Sequence, residues 1–214
     1  MVVTGGSSGI GLAAAVAFAR GGDEVVLLGR DPKRTRHAVD AVREAAHLLL
    51  DRMRAAATPE QPARLVTTSS AAESWGTLDV GRPGRRQVSR WLAYGASKQA
   101  NVLFTVEAAR RWTGLGIVAT CFFPSLIRSG FASRSPAFSA AKLAPGVFRT
   151  SEQGADTLVW LATDPAGLVP AGHFAWRRPF VATPRSTNAD RARRLWTTSL
   201  AAVGVTDSPS VPHE

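Results

Sequence analysis

Short apolar runs alternate with longer amphipathic or alanine-rich stretches along the whole chain. Met1-Val-Val-Thr4 is an apolar run bounded at once by glycines and predicts a strand. Gly5–Gly11 is a glycine-rich turn, and Leu12–Arg20 (LAAAVAFAR) predicts a helix stopped by Gly21-Gly22. Glu24–Leu28 (EVVLL) predicts a buried second strand. Asp31-Pro32 then offers an N-cap and a proline at the first helical position, for a helix running to Ala57. Arg64–Thr68 (RLVTT) predicts a third strand that enters Ser69-Ser70, and residues 71–89 read as a polar loop. A helix is expected from about Arg90 to Trp112, then a fourth strand, Ile117–Phe123, closed by Pro124. Beyond the irregular residues 125–149, Thr150-x-x-Gln153 is a capping box that opens a helix to about Thr163. His173–Trp176 predicts a short last strand, and Thr187-x-x-Asp190 opens a final helix.

Strand and helix alternate throughout, which predicts an α/β fold: an open, doubly wound, Rossmann-like parallel sheet. One domain over residues 1–206 is expected, with a disordered tail over residues 207–214.

Composition narrows the class. With 214 residues and 45% hydrophobic content, the chain can bury a core of its own. No stretch approaches about 18 uninterrupted apolar residues, and no leader with a cleavage site is visible, so a cytoplasmic protein without a membrane span is expected. The single cysteine, Cys121, excludes an internal disulfide and a cysteine-built metal site, and the four scattered histidines argue against zinc. Net charge is +10, and of the 26 basic residues only Lys33, Lys98 and Lys142 are lysines. The arginines are spread out, with local groups at Arg82/Arg85/Arg86/Arg90, Arg177/Arg178 and Arg191/Arg193/Arg194. That spread reads as a solvated basic surface and not as a nucleic-acid footprint; attraction to an anionic ligand stays open.

The glycine turn carries the first candidate chemistry. Thr4-Gly5-Gly6-Ser7-Ser8-Gly9-Ile10-Gly11 lies between a predicted strand and a predicted helix, where a dinucleotide phosphate site requires it. Gly5 permits the tight turn, Gly9 lets the backbone approach a pyrophosphate, and Gly11 lets the helix pack on the strand. The helix N-terminus adds free N–H groups and a partial positive charge. Nineteen positions beyond Gly11 stands Arg30, where an acidic residue would hold a ribose 2′-hydroxyl and an arginine accommodates a 2′-phosphate. NADP(H) is therefore expected over NAD(H).

A second constellation joins the only tyrosine, Tyr94, to Lys98 four residues later. On a helix these two share a face, and an ammonium there favours the phenolate, so Tyr94 can exchange a proton with a substrate oxygen. Ser70, at the end of RLVTT, falls at the C-terminal edge of the sheet, where open α/β folds bind ligands, and can hydrogen-bond a substrate carbonyl.

TGGSSGIGLA, RLVTTSS and YGASKQANVLFTVEAAR together resemble the short-chain dehydrogenase/reductase family. The last of these, with SEQGADTLVWLATDP and RRLW, resembles its retinol dehydrogenase-like branch. The resemblance implies catalytic roles for Ser70, Tyr94 and Lys98, with Lys98 also gripping the nicotinamide ribose, and Ser7, Ser8 and Ile10 beside the phosphates. It further implies that Pro124-Ser125-Leu126-Ile127-Arg128-Ser129 is the family's Pro-Gly…Thr segment, with Ile127 and Ser129 at the carboxamide and serine replacing both glycine and threonine. Pairing of two copies through the helix bearing Tyr94 is a further implication.

The same resemblance implies an internal deletion. The family has two more βα units after the second strand, with an aspartate near the adenine, an Asn-Asn-Ala-Gly strand end and a helix asparagine in the proton relay. None of these motifs is present, which amounts to roughly sixty missing residues. Removing those strands from the order 3-2-1-4-5-6-7 and renumbering leaves 2-1-3-4-5, plus the short last strand. The leading reading is an NADP(H)-dependent enzyme that interconverts a carbonyl and an alcohol of a small-molecule substrate. The alternative is a non-catalytic nucleotide-binding remnant.

Overall fold

Two parallel ladders make the sheet. The computed structural model describes residues 1–4, 9–23, 25–28, 50–127 and 148–204. β1 (Val2–Thr4) pairs in parallel with β2 (Val26–Leu28). The second ladder has the order β3 (Ala63–Thr68), β4 (Ile117–Phe122), β5 (His173–Ala175) and β6 (Arg178–Pro179). Its first three strands are parallel, and β6 closes it as an antiparallel hairpin arm.

Helices cover both faces, as a parallel sheet demands. They are α1 (Gly9–Arg20), α2 (Arg90–Trp112), α3 (Ser151–Thr163) and α4 (Ala189–Val203). β4 is the central strand: Ala119 packs with Ala108 and Ala109 of α2, whereas Phe122 faces Leu161 of α3. α4 lies outside α2, with Ala192 and Leu195 against Ala96 and Leu103. Trp196 stacks on Phe104 at a centroid distance of 5.5 Å. α1 rests on α3 through Ala14, Ala15 and Phe18 against Ala155.

The expected class is present, but the order 2-1-3-4-5 is broken at one junction. β1 and β3, neighbours in that order, exchange no ladder; between them lies a cleft of about 680 Å³. Its floor includes Leu158 and Ala162 of α3. The two strands that face the gap are correspondingly open, β3 with every residue half-buried and Val2 of β1 exposed.

Local signals held where they were short-range. The capping box forms, with Thr150 Oγ1 accepting from Gln153 N at 3.2 Å and Gln153 Oε1 from Thr150 N at 3.0 Å. Residues 50–56 are helical, while the rest of the expected 32–57 helix lies outside the described residues, as does the 207–214 tail. The 71–89 stretch is not all loop, because residues Ala71–Trp75 form a 3-10 helix capped by Ser70. The final helix is capped by Asn188 and not by Thr187. Asn188 Oδ1 reaches Arg191 N at 2.9 Å, whereas the Thr187 hydroxyl turns back to the Thr183 carbonyl to close the short turn Pro184–Thr187. Trp176 leaves the last strand: with φ values of 53° and 58°, Trp176 and Arg177 make the two-residue turn between β5 and β6.

Candidate active site

The sequence-predicted residues that the structure describes fall into two groups, one at the start of α1 and one at the end of β3, and Ser70, Tyr94 and Lys98 are not among the residues that line the cleft. Ile10 and Gly11 line one wall and Thr68 the other.

The first group starts at α1. Gly9 opens the helix with φ +57°, the left-handed region that favours glycine, and a Cβ built there would meet nothing within 4 Å. The first turn of α1 has no acidic residue, so its partial positive charge is not neutralised from within. A helix start with no acidic residue in its first turn and room around Gly9 suits a phosphate-bearing cofactor. Ile127 is brought to the same place: a Cβ on Gly154 would lie 2.5 Å from Ile127 Cδ1 and 3.3 Å from Ile10 Cγ1. Gly154 of α3 therefore lets both isoleucines close over the helix start, and no pattern in the sequence singled it out. Ile127 is pinned by a bridge to Arg149. Gly5, Ser7, Ser8, Arg30 and Ser129 lie outside the described residues, as does most of the 125–149 segment.

Ser125, which the resemblance sets in the place of a glycine, has φ 76°, in the left-handed region that favours glycine. A side chain there costs on the order of 1–2 kcal/mol.

The second group is fastened at the end of β3. Ser70 Oγ accepts a hydrogen bond from Ala72 N at 3.2 Å. The 3-10 helix it caps is wedged directly onto α2: a Cβ on Gly95 would lie 2.8 Å from the Ala72 carbonyl oxygen, and one on Gly76 2.6 Å from that of Gly95. Two glycines thus set the Ser70 turn against the helix turn that carries Tyr94 and Lys98. Lys98 Nζ donates to the Thr68 carbonyl at 3.1 Å and lies 5.6 Å from the centre of the Tyr94 ring.

Asn101, one turn further along the same face of α2, donates to the same Thr68 carbonyl at 2.8 Å. Sequence reasoning passed over it, although its i+3 spacing from Lys98 was visible. Burial lowers the Lys98 ammonium from its usual range. The neighbouring Cys121 thiol is pushed up to about 12 by its own burial, and its interaction with Lys98 opposes the lysine's shift without reversing it.

Two other residues differ from expectation. A histidine at the start of a strand is expected to make a local hydrogen bond, yet both ring nitrogens of His173 are buried without a partner among the described residues. The ring sits edge-on to Phe180 at 5.3 Å, and burial lowers its pKa, with Glu73 opposing. Glu73 itself is buried, and its carboxylate accepts from Thr183 N at 3.0 Å, Thr183 Oγ1 at 2.7 Å and Ser186 Oγ. Among the described residues there is no cluster of three metal-ligating side chains and no helix long and apolar enough to cross a membrane.

Comparison with known proteins bears on family and fold. The family model described as short chain dehydrogenase matches residues 1–80. “Putative daunorubicin C-13 ketoreductase DnrU” of Streptomyces sp. (strain C5) is 33% identical over 269 aligned positions, covering 96% of this chain and 93% of that protein. Since the alignment is longer than the chain, at least 55 of its positions have no counterpart here. Human retinol dehydrogenase 12 is 32% identical over 163 positions, covering 74% of this chain but only 50% of its own. Among solved structures, 3-alpha-hydroxysteroid dehydrogenase from Pseudomonas sp. B-0831, complexed with NADH, superposes with a TM-score of 0.61. It is 19% identical and covers 81% of this chain and 93% of its own, a likeness of fold.

Proposed function

Because the chain belongs to the short-chain dehydrogenase/reductase family, in its retinol dehydrogenase-like branch, we propose that it is an NADP(H)-dependent oxidoreductase interconverting a carbonyl and an alcohol. We read residues 1–206 as the single domain that does so. The observation that carries the proposal is the fastening of Ser70 and of the helix turn bearing Tyr94 and Lys98 at the end of β3. Gly5, Ser7, Ser8, Gly9, Ile10 and Gly11 would hold the pyrophosphate, Arg30 the 2′-phosphate, and Ile127 and Ser129 the carboxamide. When bound, the nicotinamide supplies or accepts the hydride at the carbonyl carbon.

The remaining chemistry belongs to the chain's own side chains. Ser70 Oγ accepts from Ala72 N, and its proton is committed to no acceptor among the described residues. That O–H is free to donate to a substrate carbonyl and polarise it. Tyr94 gives its phenolic proton to the same oxygen as charge develops there, and takes it back in the oxidative direction. The Lys98 ammonium, tethered by a single donated bond to Thr68, stabilises the phenolate left behind and keeps two N–H groups for the ribose hydroxyls. Asn101 shares the Thr68 carbonyl and positions the lysine without touching substrate. The relative named as a daunorubicin C-13 ketoreductase supports a ketone as the substrate class.

A second reading has its own observation. The open junction between β1 and β3 separates the two groups by the place of a missing strand. A displacement of even 1 Å can cost about a hundredfold in rate. On that reading the chain binds nucleotide without turnover.

One experiment separates them. Turnover of NADPH and of NADH with ketone substrates is measured for the chain and for Tyr94→Phe, with cofactor affinity read by energy transfer from tryptophan. The expected result is NADPH-dependent turnover that falls at least about a thousandfold in the variant with cofactor affinity unchanged. Equal turnover in the variant removes Tyr94 from its role, and NADPH binding without turnover by either chain establishes the remnant.

A further inference from the structure

The C-terminal edge of the β3–β4–β5 ladder differs from the rest of the surface. The three strands are parallel, so Trp75, Leu126 and Trp176, each soon after a strand end, emerge on one side. α2 runs back along β3, with Lys98 at Thr68 and Ala108 in the cluster that includes Leu65. Its first turn, with Arg90 and Trp91, therefore projects beyond the same edge, preceded by residues 85–89.

This edge is both apolar and cationic. Trp75, Val88, Trp91, Leu126 and Trp176 are five of the eleven large hydrophobic side chains exposed among the described residues. Val88 is 94% exposed and stands between Arg86 and Arg90. Arg85, Arg86 and Arg90 are exposed and have no ion-pair partner among the described residues. From residue 80 to residue 106 the chain has no aspartate or glutamate at all. The arginines are strung along an exposed segment and do not converge on the cleft, whose lining includes none of them.

We propose that this edge docks on an anionic lipid bilayer. Guanidinium groups pair with headgroup phosphates, and three half-exposed tryptophans have the apolar body and N–H tip of side chains that settle at the headgroup boundary. An aliphatic tip such as Val88 gains from a lipid surface and finds no complement on a nucleic-acid backbone. The proposed contact is peripheral: among the described residues no helix is long and apolar enough to cross the membrane. The surface lies at the same edge of the sheet as Ser70 and Tyr94, but docking there requires neither cofactor nor turnover.

Sedimentation of the full chain with vesicles tests it. Vesicles of phosphatidylcholine alone are compared with vesicles in which a third of the lipid is phosphatidylglycerol. Binding to the anionic vesicles only, weakened by salt, is expected. Arg85→Glu/Arg86→Glu should lower the partition coefficient at least about tenfold. Val88→Ser should lower it by a smaller factor, roughly threefold, with net charge unchanged. Arg20→Glu/Arg54→Glu, at the opposite edge of the sheet, controls for the overall charge and should leave partitioning near wild type. Equal losses in that control would show that net charge alone drives binding and overturn the docking surface. So would equal binding to both vesicle types or to neither. A short DNA duplex that displaces the protein, with Val88→Ser binding like wild type, would assign the surface to nucleic acid and overturn the lipid proposal.

Discussion

Lys98 and His173 are both partly buried bases, and their surroundings treat them in opposite ways. Lys98 retains a carbonyl partner at 3.1 Å, whereas the His173 ring has none. Burial holds the His173 pKa below its ordinary value despite Glu73. The unfolded chain takes up this proton near pH 6.5, and the folded chain only at a lower pH. Stability contributed by neutral His173 is thus complete above about pH 6.5 and falls as pH drops from there toward the lowered folded value. Melting temperatures from pH 7.5 to 5 should show this decline in the wild type and a shallower one in His173→Phe; parallel curves would contradict it. The sequence placed His173 at the last strand but not its missing partners, because neighbours such as Phe180 arrive from a hairpin that was not foreseen. Tyr94 and Lys98 were legible because four residues of one helix fix their relation. Asn101 was equally local and was overlooked.

Among the elements, the 3-10 helix Ala71–Trp75 has an importance out of proportion to its length. Its Glu73 is 2% exposed and collects three donors from residues 183 and 186, so it ties the strand end of Ser70 to the turn before α4. Glu73→Ala would leave those donors without their acceptor and should cost about 3 kcal/mol, read by urea denaturation. A loss under about 1 kcal/mol would mean that water replaces the carboxylate. In the sequence this segment passed for polar loop, since five residues show no helical period and the bonds that organise it span more than a hundred positions. The capping box of α3 was legible for the opposite reason: donor and acceptor are three residues apart. The cap of α4 shows the limit of such signals, because Thr187 and Asn188 both qualify and only the preceding turn decides between them.

At the scale of the molecule, the class of fold was legible and the closure of the sheet was not. Alternation of strand and helix predicts layers, but not which strands touch. The β1–β2 ladder is three residues long and borders the cleft, so it should open more readily than the rest. Hydrogen exchange should find the amides of β1 at least about tenfold less protected than those of Ala119–Phe122 in β4. Uniform protection would mean that the two ladders unfold as one.

The doubly bonded carbonyl of Thr68 has a consequence beyond positioning a lysine. Alternate residues of β3 bond to β4, as Ala63 N and Ser69 N do, which leaves the Thr68 carbonyl pointing away from that partner. A bare strand edge invites pairing with another chain and, from there, aggregation. Lys98 and Asn101 saturate the acceptor at the end of that edge nearest the cleft's mouth. A foreign strand sliding in beside β3 would find its last docking point already taken. The same two side chains that equip the site for chemistry therefore guard the gap against misassembly.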